Sequence, residues 1–200
     1  MPRPRLHDDN LRQRLLKRAA ERLSAHGPEA LGLRRLATEV GTSTTAVYSL
    51  FGGKPGLLRE LYVEGFRRLG DRMEQIPTTD DPESDLVAMG HAYRHSALAN
   101  HNFYSIMFNN VVPDFEPDAD AQWYALRSIA PLEEAVRRAL REGVLVAKSE
   151  QELVFTAWAL VHGLVSLELN GSVPSDPQAA EDRYDRAVRG TIAGWRPGNS

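Results

Sequence analysis

Two hundred residues, 42% of them apolar, are enough for one helical domain or for a small module joined to a larger body. The chain has no cysteine, which removes disulfides and thiol chemistry and fits a reducing cytoplasm. It has no unbroken run of eighteen apolar residues to mark a membrane span, and no apolar stretch behind the charged start MPRPRLHDDN to make a secretory signal. The formal net charge of −3 conceals a polarity, because residues 1–72 carry fourteen Lys and Arg against eight Asp and Glu, while residues 73–200 carry ten against nineteen, so a basic front suited to a polyanion precedes an acidic body.

Helical periodicity runs through the chain, and no convincing two-residue alternation interrupts it, so the predicted fold is all-α with about nine helices. Leu11, Leu15, Leu16, Ala19, Ala20 and Leu23 line one face of a first helix that stops at His26-Gly27-Pro28. Leu33, Leu36, Ala37 and Val40 give a second, very short helix that Gly41-Thr42 breaks. Ser43 is placed to cap a third, which ends at Gly52-Gly53. Leu58, Leu61, Tyr62, Phe66, Leu69 and Met73 face inward from a fourth. The stretch IPTTDDPES (76–84) is the clearest joint, with Asp81-Pro82 opening a fifth helix. A short helix is expected over FYSIMFNN, a loop over VVPDFEPD, and a long helix over 118–142 that Pro131 either kinks or splits before Gly143 closes it. Ser149 and Glu152 form a capping box for an apolar helix, 150–169, which ends at Asn170-Gly171; Asp176-Pro177 opens the last helix.

Helices two and three are too short to stand alone in water and must pack on helices one and four. Two short helices joined by a tight Gly-containing turn describe a helix-turn-helix, whose second helix enters the major groove of DNA. Here that unit spans 32–51, within a module drawn at 9–69. The third helix presents Ser43, Thr44, Thr45, Tyr48 and Ser49 opposite an apolar side made by Ala46, Val47, Leu50 and Phe51. Basic residues flank it, namely Arg3 and Arg5 ahead, Arg34 and Arg35 on helix two, and Lys54 at the start of helix four, where free N–H groups favour a phosphate.

The stretch LLKRAAERLSAHGPEALGLRRLATEVGTSTTAVYSLFGGKPGLLRELY resembles the DNA-binding domain of the TetR family of transcriptional regulators. Ala19, Gly27, Leu36-Ala37, the turn Gly41-Thr42-Ser43, then Tyr48, Phe51, Lys54 and Leu57-Leu58 carry the resemblance in order and spacing. It implies that Tyr48 and Lys54 grip phosphates. Gly32 stands where the family usually has a Ser or Thr cap, Thr42 where an aliphatic residue is usual, and Thr44-Thr45 where Lys-Gly is commoner. The expected DNA-binding residues are Arg5, Arg34, Thr42, Ser43, Thr44, Thr45, Tyr48 and Lys54.

In the body, drawn at 82–195, Trp158, His162 and Gly163 resemble the W-x-x-x-H-G signature of one C-terminal class of the family, the WHG domain. AYRHSALANHNFYSIMF resembles the same class, with His101 where a proline is common. The family implies homodimerisation through the last two helices, which agrees with a two-fold protein on a palindromic operator. An aromatic and Met set, with Tyr93, Phe103, Met107, Phe108, Trp123, Trp158 and His162 as its core, suits a small apolar or aromatic ligand. His91 and His95 have the i, i+4 spacing of metal ligands, but no cysteine or dense carboxylate cluster accompanies them, so neither metal nor cofactor is expected.

No phosphate loop and no G-x-S-x-G elbow is present, so the chain is not expected to be an enzyme. The reading that follows is a cytoplasmic, nucleoid-associated, homodimeric repressor that a small molecule releases from double-stranded DNA, with no membrane partner. An all-helical small-molecule-binding protein or enzyme with a merely structural basic front is the alternative.

Overall fold

The computed structural model describes residues 5–109, 112, 115–173 and 176–198, with side chains from residue 9 onward. These form ten α-helices and one 3₁₀ turn: α1 (Arg5–His26), the turn Pro28–Ala30, α2 (Leu33–Val40), α3 (Thr44–Phe51), α4 (Lys54–Glu74), α5 (Pro82–Ala99), α6 (His101–Phe108), α7 (Ala119–Arg127), α8 (Ala130–Arg141), α9 (Glu150–Leu169) and α10 (Pro177–Gly194). The all-α expectation holds. The count rises from about nine to ten because Pro131 splits the segment 118–142, taking the first turn of α8, where its missing N–H costs no helical bond. Within the expected loop at 111–118, residues 112 and 115–118 are described and are non-helical.

The chain divides into two compact units, residues 1–67 with 100–125, and residues 68–99 with 126–200. The joint at 76–84 therefore lies inside the second unit, and α6 with most of α7 joins the first. In the first unit one core gathers Leu15, Leu16, Leu23, Leu36, Val47 and Leu61 with Phe103 and Ile106 of α6, so four N-terminal helices and α6 bury their apolar stripes together. Asp118 accepts the Ala121 N–H at 2.8 Å and the Arg59 Nε–H at 2.6 Å, so one carboxylate both caps α7 and ties it to α4.

In the second unit α5, α8, α9 and α10 pack on one another. Asp81 caps α5 through the Ser84 N–H (3.0 Å), Ser149 caps α9 through the Glu152 N–H (3.2 Å), and Asp176 caps α10 through the Gln178 N–H (3.1 Å). Buried Asp85 accepts from the Thr79 N–H (2.9 Å), the Thr79 hydroxyl (2.7 Å) and Arg138 (2.9 Å), which fixes the start of α5 against α8. Arg94 makes a two-pronged bond to Glu168 of α9 at 2.7 and 2.8 Å. Although its apolar residues are interrupted, α9 is by length and composition apolar enough to cross a membrane, with a mean hydropathy of 1.4 over its best window.

At Gly90 α5 packs closely on α10, and the Tyr184 hydroxyl donates to the Gly90 carbonyl at 2.6 Å. A Cβ there would stand 3.1 and 3.4 Å from the Val188 methyls and 3.8 Å from Val161. Gly90→Val has no room for its methyls and is expected to cost about 1–3 kcal/mol by overpacking. Thermal unfolding of the variant beside the parent checks this.

Candidate nucleic-acid interface

Residues 33–51 build a rigid corner. Gly41 adopts φ 72°, ψ 42°, a left-handed conformation that only glycine takes without strain; its N–H bonds Thr38 O at 3.1 Å, and the Thr42 N–H reaches back to Ala37 O at 2.9 Å. Gly32 caps α2 without a side-chain bond, as the sequence anticipates. The chain then turns, and the Ser43 hydroxyl accepts the Ala46 N–H at 3.1 Å to start α3. Ser43 keeps its own hydroxyl proton for another partner.

The two faces of α3 separate cleanly. Val47 and Phe51 are buried in the first unit's core, whereas Ser43, Thr45, Tyr48 and Ser49 are exposed and Thr42 and Thr44 are half-buried. Tyr48 is 54% exposed, so it is not a core aromatic. Its ring carbon Cε1 lies 3.6 Å from the place a Cβ on Gly53 would occupy, which seats the ring beside the start of α4.

Lys54 does more than stand at the head of α4. Its Nζ donates to the Pro28 carbonyl at 2.8 Å, so it braces the turn after α1 and retains two N–H bonds for an anion. Arg34 is exposed on α2, while Arg35 is paired with Glu39 at 3.1 Å. Arg3 and the side chain of Arg5 lie outside the described residues.

A second group escaped the sequence altogether. Arg22, only 5% exposed, donates to Ala30 O from Nε (3.0 Å) and Nη2 (2.6 Å) and to Glu39 from Nη1 (2.8 Å). Glu39 also accepts from Arg18 at 2.8 Å. The hydrogen bond from Arg18, with Arg35 beside it, holds the Glu39 carboxyl below the usual glutamate range. Arg14 donates to the Val40 carbonyl at the end of α2. This cluster pins α2, and through it α3, to α1.

The residues expected to line a ligand site are shared between the two units. Tyr93 and Trp158 line an apolar cavity of about 50 Å³ in the second unit, walled also by Met89, Leu132, Val188 and Trp195. His162 shares a hydrogen bond with the Tyr93 hydroxyl at 3.1 Å. Phe103 belongs to the first unit's core, Met107 and Phe108 line a separate cavity of that unit with Tyr62 and Phe115, and Trp123 is half-exposed. His91 is engaged with Asp185 at 2.8 Å, and among the described residues no three His, Cys, Asp or Glu side chains converge as metal ligands.

Burial pushes the His162 imidazole below its ordinary pKa. A histidine that resists protonation when folded supports the fold fully at neutral pH. That support declines as pH falls below about 6.5, where the unfolded chain takes up the proton first. Acidification from neutral pH is expected to destabilise the parent more than His162→Gln in parallel denaturant titrations.

The corner of two short helices on a three-helix support, with an exposed hydroxyl face and a lysine at its rim, defines a helix-turn-helix DNA-binding protein. Residues 15–61 match the family described as "Bacterial regulatory proteins, tetR family", and residues 86–191 match "Tetracyclin repressor-like, C-terminal domain". The chain belongs to the TetR family of transcriptional regulators. It is 23% identical to the HTH-type transcriptional regulator Rv1816 of Mycobacterium tuberculosis, over 92% of this chain and 93% of that one. Among solved structures it is similar to a protein of unknown function from Rhodococcus sp. RHA1, with 26% identity, a TM-score of 0.73, and 90% and 94% of the two chains covered. It shares its fold with the TetR family transcriptional regulator PfmR from Thermus thermophilus, at 22% identity and a TM-score of 0.67, covering 88% of this chain and 97% of that one.

Proposed function

We propose that the protein is a homodimeric, cytoplasmic repressor and not an enzyme, and that a small apolar or aromatic ligand releases it from a palindromic operator. Residues 9–69 are read as its DNA-binding domain and residues 82–195 as its ligand-binding and dimerisation domain. The observation that carries the reading is the α3 face, where exposed Ser43, Thr45 and Tyr48 stand beside a bracing Lys54 and oppose a side sunk in the core. That face has no Arg, Asn or Gln, the side chains that make bidentate contacts to guanine or adenine. Thr42, Ser43, Thr44 and Thr45 therefore read bases through single hydroxyl bonds and methyl contacts to thymine. Spacing, DNA shape and an arm carrying Arg5 supply the remainder, with Arg34 on the backbone.

Dimerisation is supported by α9, of which only 22% of the most apolar window is buried. Phe155 and Leu167 are exposed on it, and Gly163 on α9 with Gly190 and Gly194 on α10 have open space where a Cβ would be. A second copy laid across α9 and α10 would cover these residues. Two recognition helices then meet half-sites about 34–36 Å apart, or a multiple of that. The cavity beside Tyr93 and Trp158 is the ligand site in this reading, and a ligand that enlarges it shifts the population toward dimers whose helices no longer match the grooves.

Binding to the DNA upstream of the protein's own gene, measured by fluorescence anisotropy between 50 and 200 mM salt, tests the proposal. Affinity should fall steeply with salt and still prefer a palindrome over scrambled DNA. Absence of any sequence preference across that range would reject the regulator reading.

A further inference from the structure

We infer that Arg14 of α1 holds a backbone phosphate at the leading end of α3, so that a cation at each end of that helix grips one wall of the major groove. This role rests on the regulator reading and adds to it a contact that neither the hydroxyl face of α3 nor Lys54 supplies.

Arg14 is exposed, and its Nη2 donates to the carbonyl of Val40, the last residue of α2 before the turn Gly41-Thr42-Ser43 that leads into α3. The carbonyl end of a helix attracts a cation, which explains why the guanidinium rests there. One bond leaves four of its five N–H groups available, in a fork that matches two phosphate oxygens. The neighbouring arginines are committed elsewhere. Arg12 pairs with Glu60, Arg18 with Glu21 and Glu39, and both Arg22 and Arg35 with Glu39. Among the described Lys and Arg side chains of α1, α2 and the head of α4, those of Arg14, Lys17, Arg34 and Lys54 meet no carboxylate.

Position singles out two of these four. The eight residues of α3 make a helix about 12 Å long, which is about the width of the major groove. The first residues of such a helix meet base edges, and its two ends lie toward the two sugar–phosphate walls. Lys54 follows the far end, just after the Gly52-Gly53 stop, and Arg14 stands at the near end, on the residue before Gly41. From there α1 runs away from the turn, since Arg18 reaches Glu39 at 2.8 Å and Arg22 reaches Ala30 O at 3.0 Å. Lys17 therefore lies about one helical turn farther from Gly41 than Arg14 does, and Arg34 sits in the opposite, first turn of α2. Arg14 uses one donor to cap α2 and offers the others to the strand beside Thr42 and Ser43. A phosphate held there fixes how far α3 enters the groove, while base choice stays with the hydroxyls.

Arg14→Gln is the test, because the amide keeps an N–H for Val40 O and loses the charge. Fluorescence anisotropy of the full-length protein is read with the upstream DNA and with a scrambled duplex, each across a series of salt concentrations. Affinity for both duplexes should fall about tenfold, and the salt slope should fall by about 0.9 per copy. Lys17→Gln removes the same charge one turn away and should change affinity less than about threefold. Arg14→Lys, which restores a charge without the fork, should return the slope to the parent value. A parent-like slope in Arg14→Gln would show that Arg14 only caps α2, and an equal loss in Lys17→Gln would show a diffuse charge effect; either overturns the assignment. Should Arg14→Gln fail to fold by circular dichroism, ethylation of phosphates on the DNA bound by the parent decides. Ethylation should interfere on both strands of each half-site, and interference confined to one strand would overturn the two-ended grip. A parent that binds neither duplex even at the lowest salt would reject the regulator reading and this role with it, whereas a parent that binds beside an unaltered Arg14→Gln removes this role alone.

Discussion

Lys54→Ala is expected to weaken binding to every DNA sequence by about tenfold, equivalent to about 1.4 kcal/mol, without changing base preference. The lysine heads α4, where unsatisfied N–H groups and the helix dipole already favour an anion, and two of its three ammonium protons remain after the bond to Pro28 O. Loss of one phosphate contact from each copy should lower the salt slope by about 0.9 per copy. The same substitution removes a brace, and the neutral carbonyl bond it breaks is worth about 0.5–1.5 kcal/mol of stability. The two roles separate by measurement. If the affinity falls while the salt slope stays at the parent value, the lysine acts by bracing the turn after α1 and not by holding a phosphate. Tyr48→Phe, which keeps the ring against Gly53 and removes only the hydroxyl, should weaken binding less and leave stability alone.

The parts of this protein legible in its sequence are those set by local rules. The short helices α2 and α3 follow from apolar spacing, from a glycine that must turn left-handed at 41, and from the cap at Ser43, and all three signals lie within a few residues of the structure they specify. Pro131 announces a break in the same way. What could not be read depends on partners far along the chain. Arg22 looks like any surface arginine of an amphipathic helix until Glu39 and Ala30 O close on it. Tyr93, Phe103, Met107, Phe108 and Trp123 share one aromatic character, yet the chain crosses between its two units at residues 99 and 125 and distributes them. Periodicity shows that α9 is apolar on more than one face, but not that neighbours cover so little of it. Composition names a set of residues, and only topology decides whether the set is a site.

Arg22→Met should be the most damaging single change to the DNA-binding unit. Methionine keeps most of the buried stem and deletes every donor, so the experiment isolates hydrogen bonding from packing. Two bonds to Ala30 O and one to Glu39 disappear, and the carbonyl keeps only the Gly32 N–H at 3.1 Å. Hydrogen bonds to a charged group are worth about 1.5–3 kcal/mol each, but the three share one side chain and are not additive; a loss of about 3 kcal/mol is expected. For a chain of this size that corresponds to a fall in Tm of roughly 6–12 °C. Arg18 and Arg35 also contact Glu39, but both are solvated, so Arg18→Met and Arg35→Met should each leave Tm close to the parent value. The comparison decides between a surface charge cluster, in which the three arginines are interchangeable, and a buried strut, in which only Arg22 matters. DNA affinity should fall in Arg22→Met even at temperatures where the chain stays folded, because α2 loses its tie to α1 and α3 is mounted on α2. A variant with normal DNA affinity and normal Tm would show that the helix-turn-helix is held by its apolar core alone.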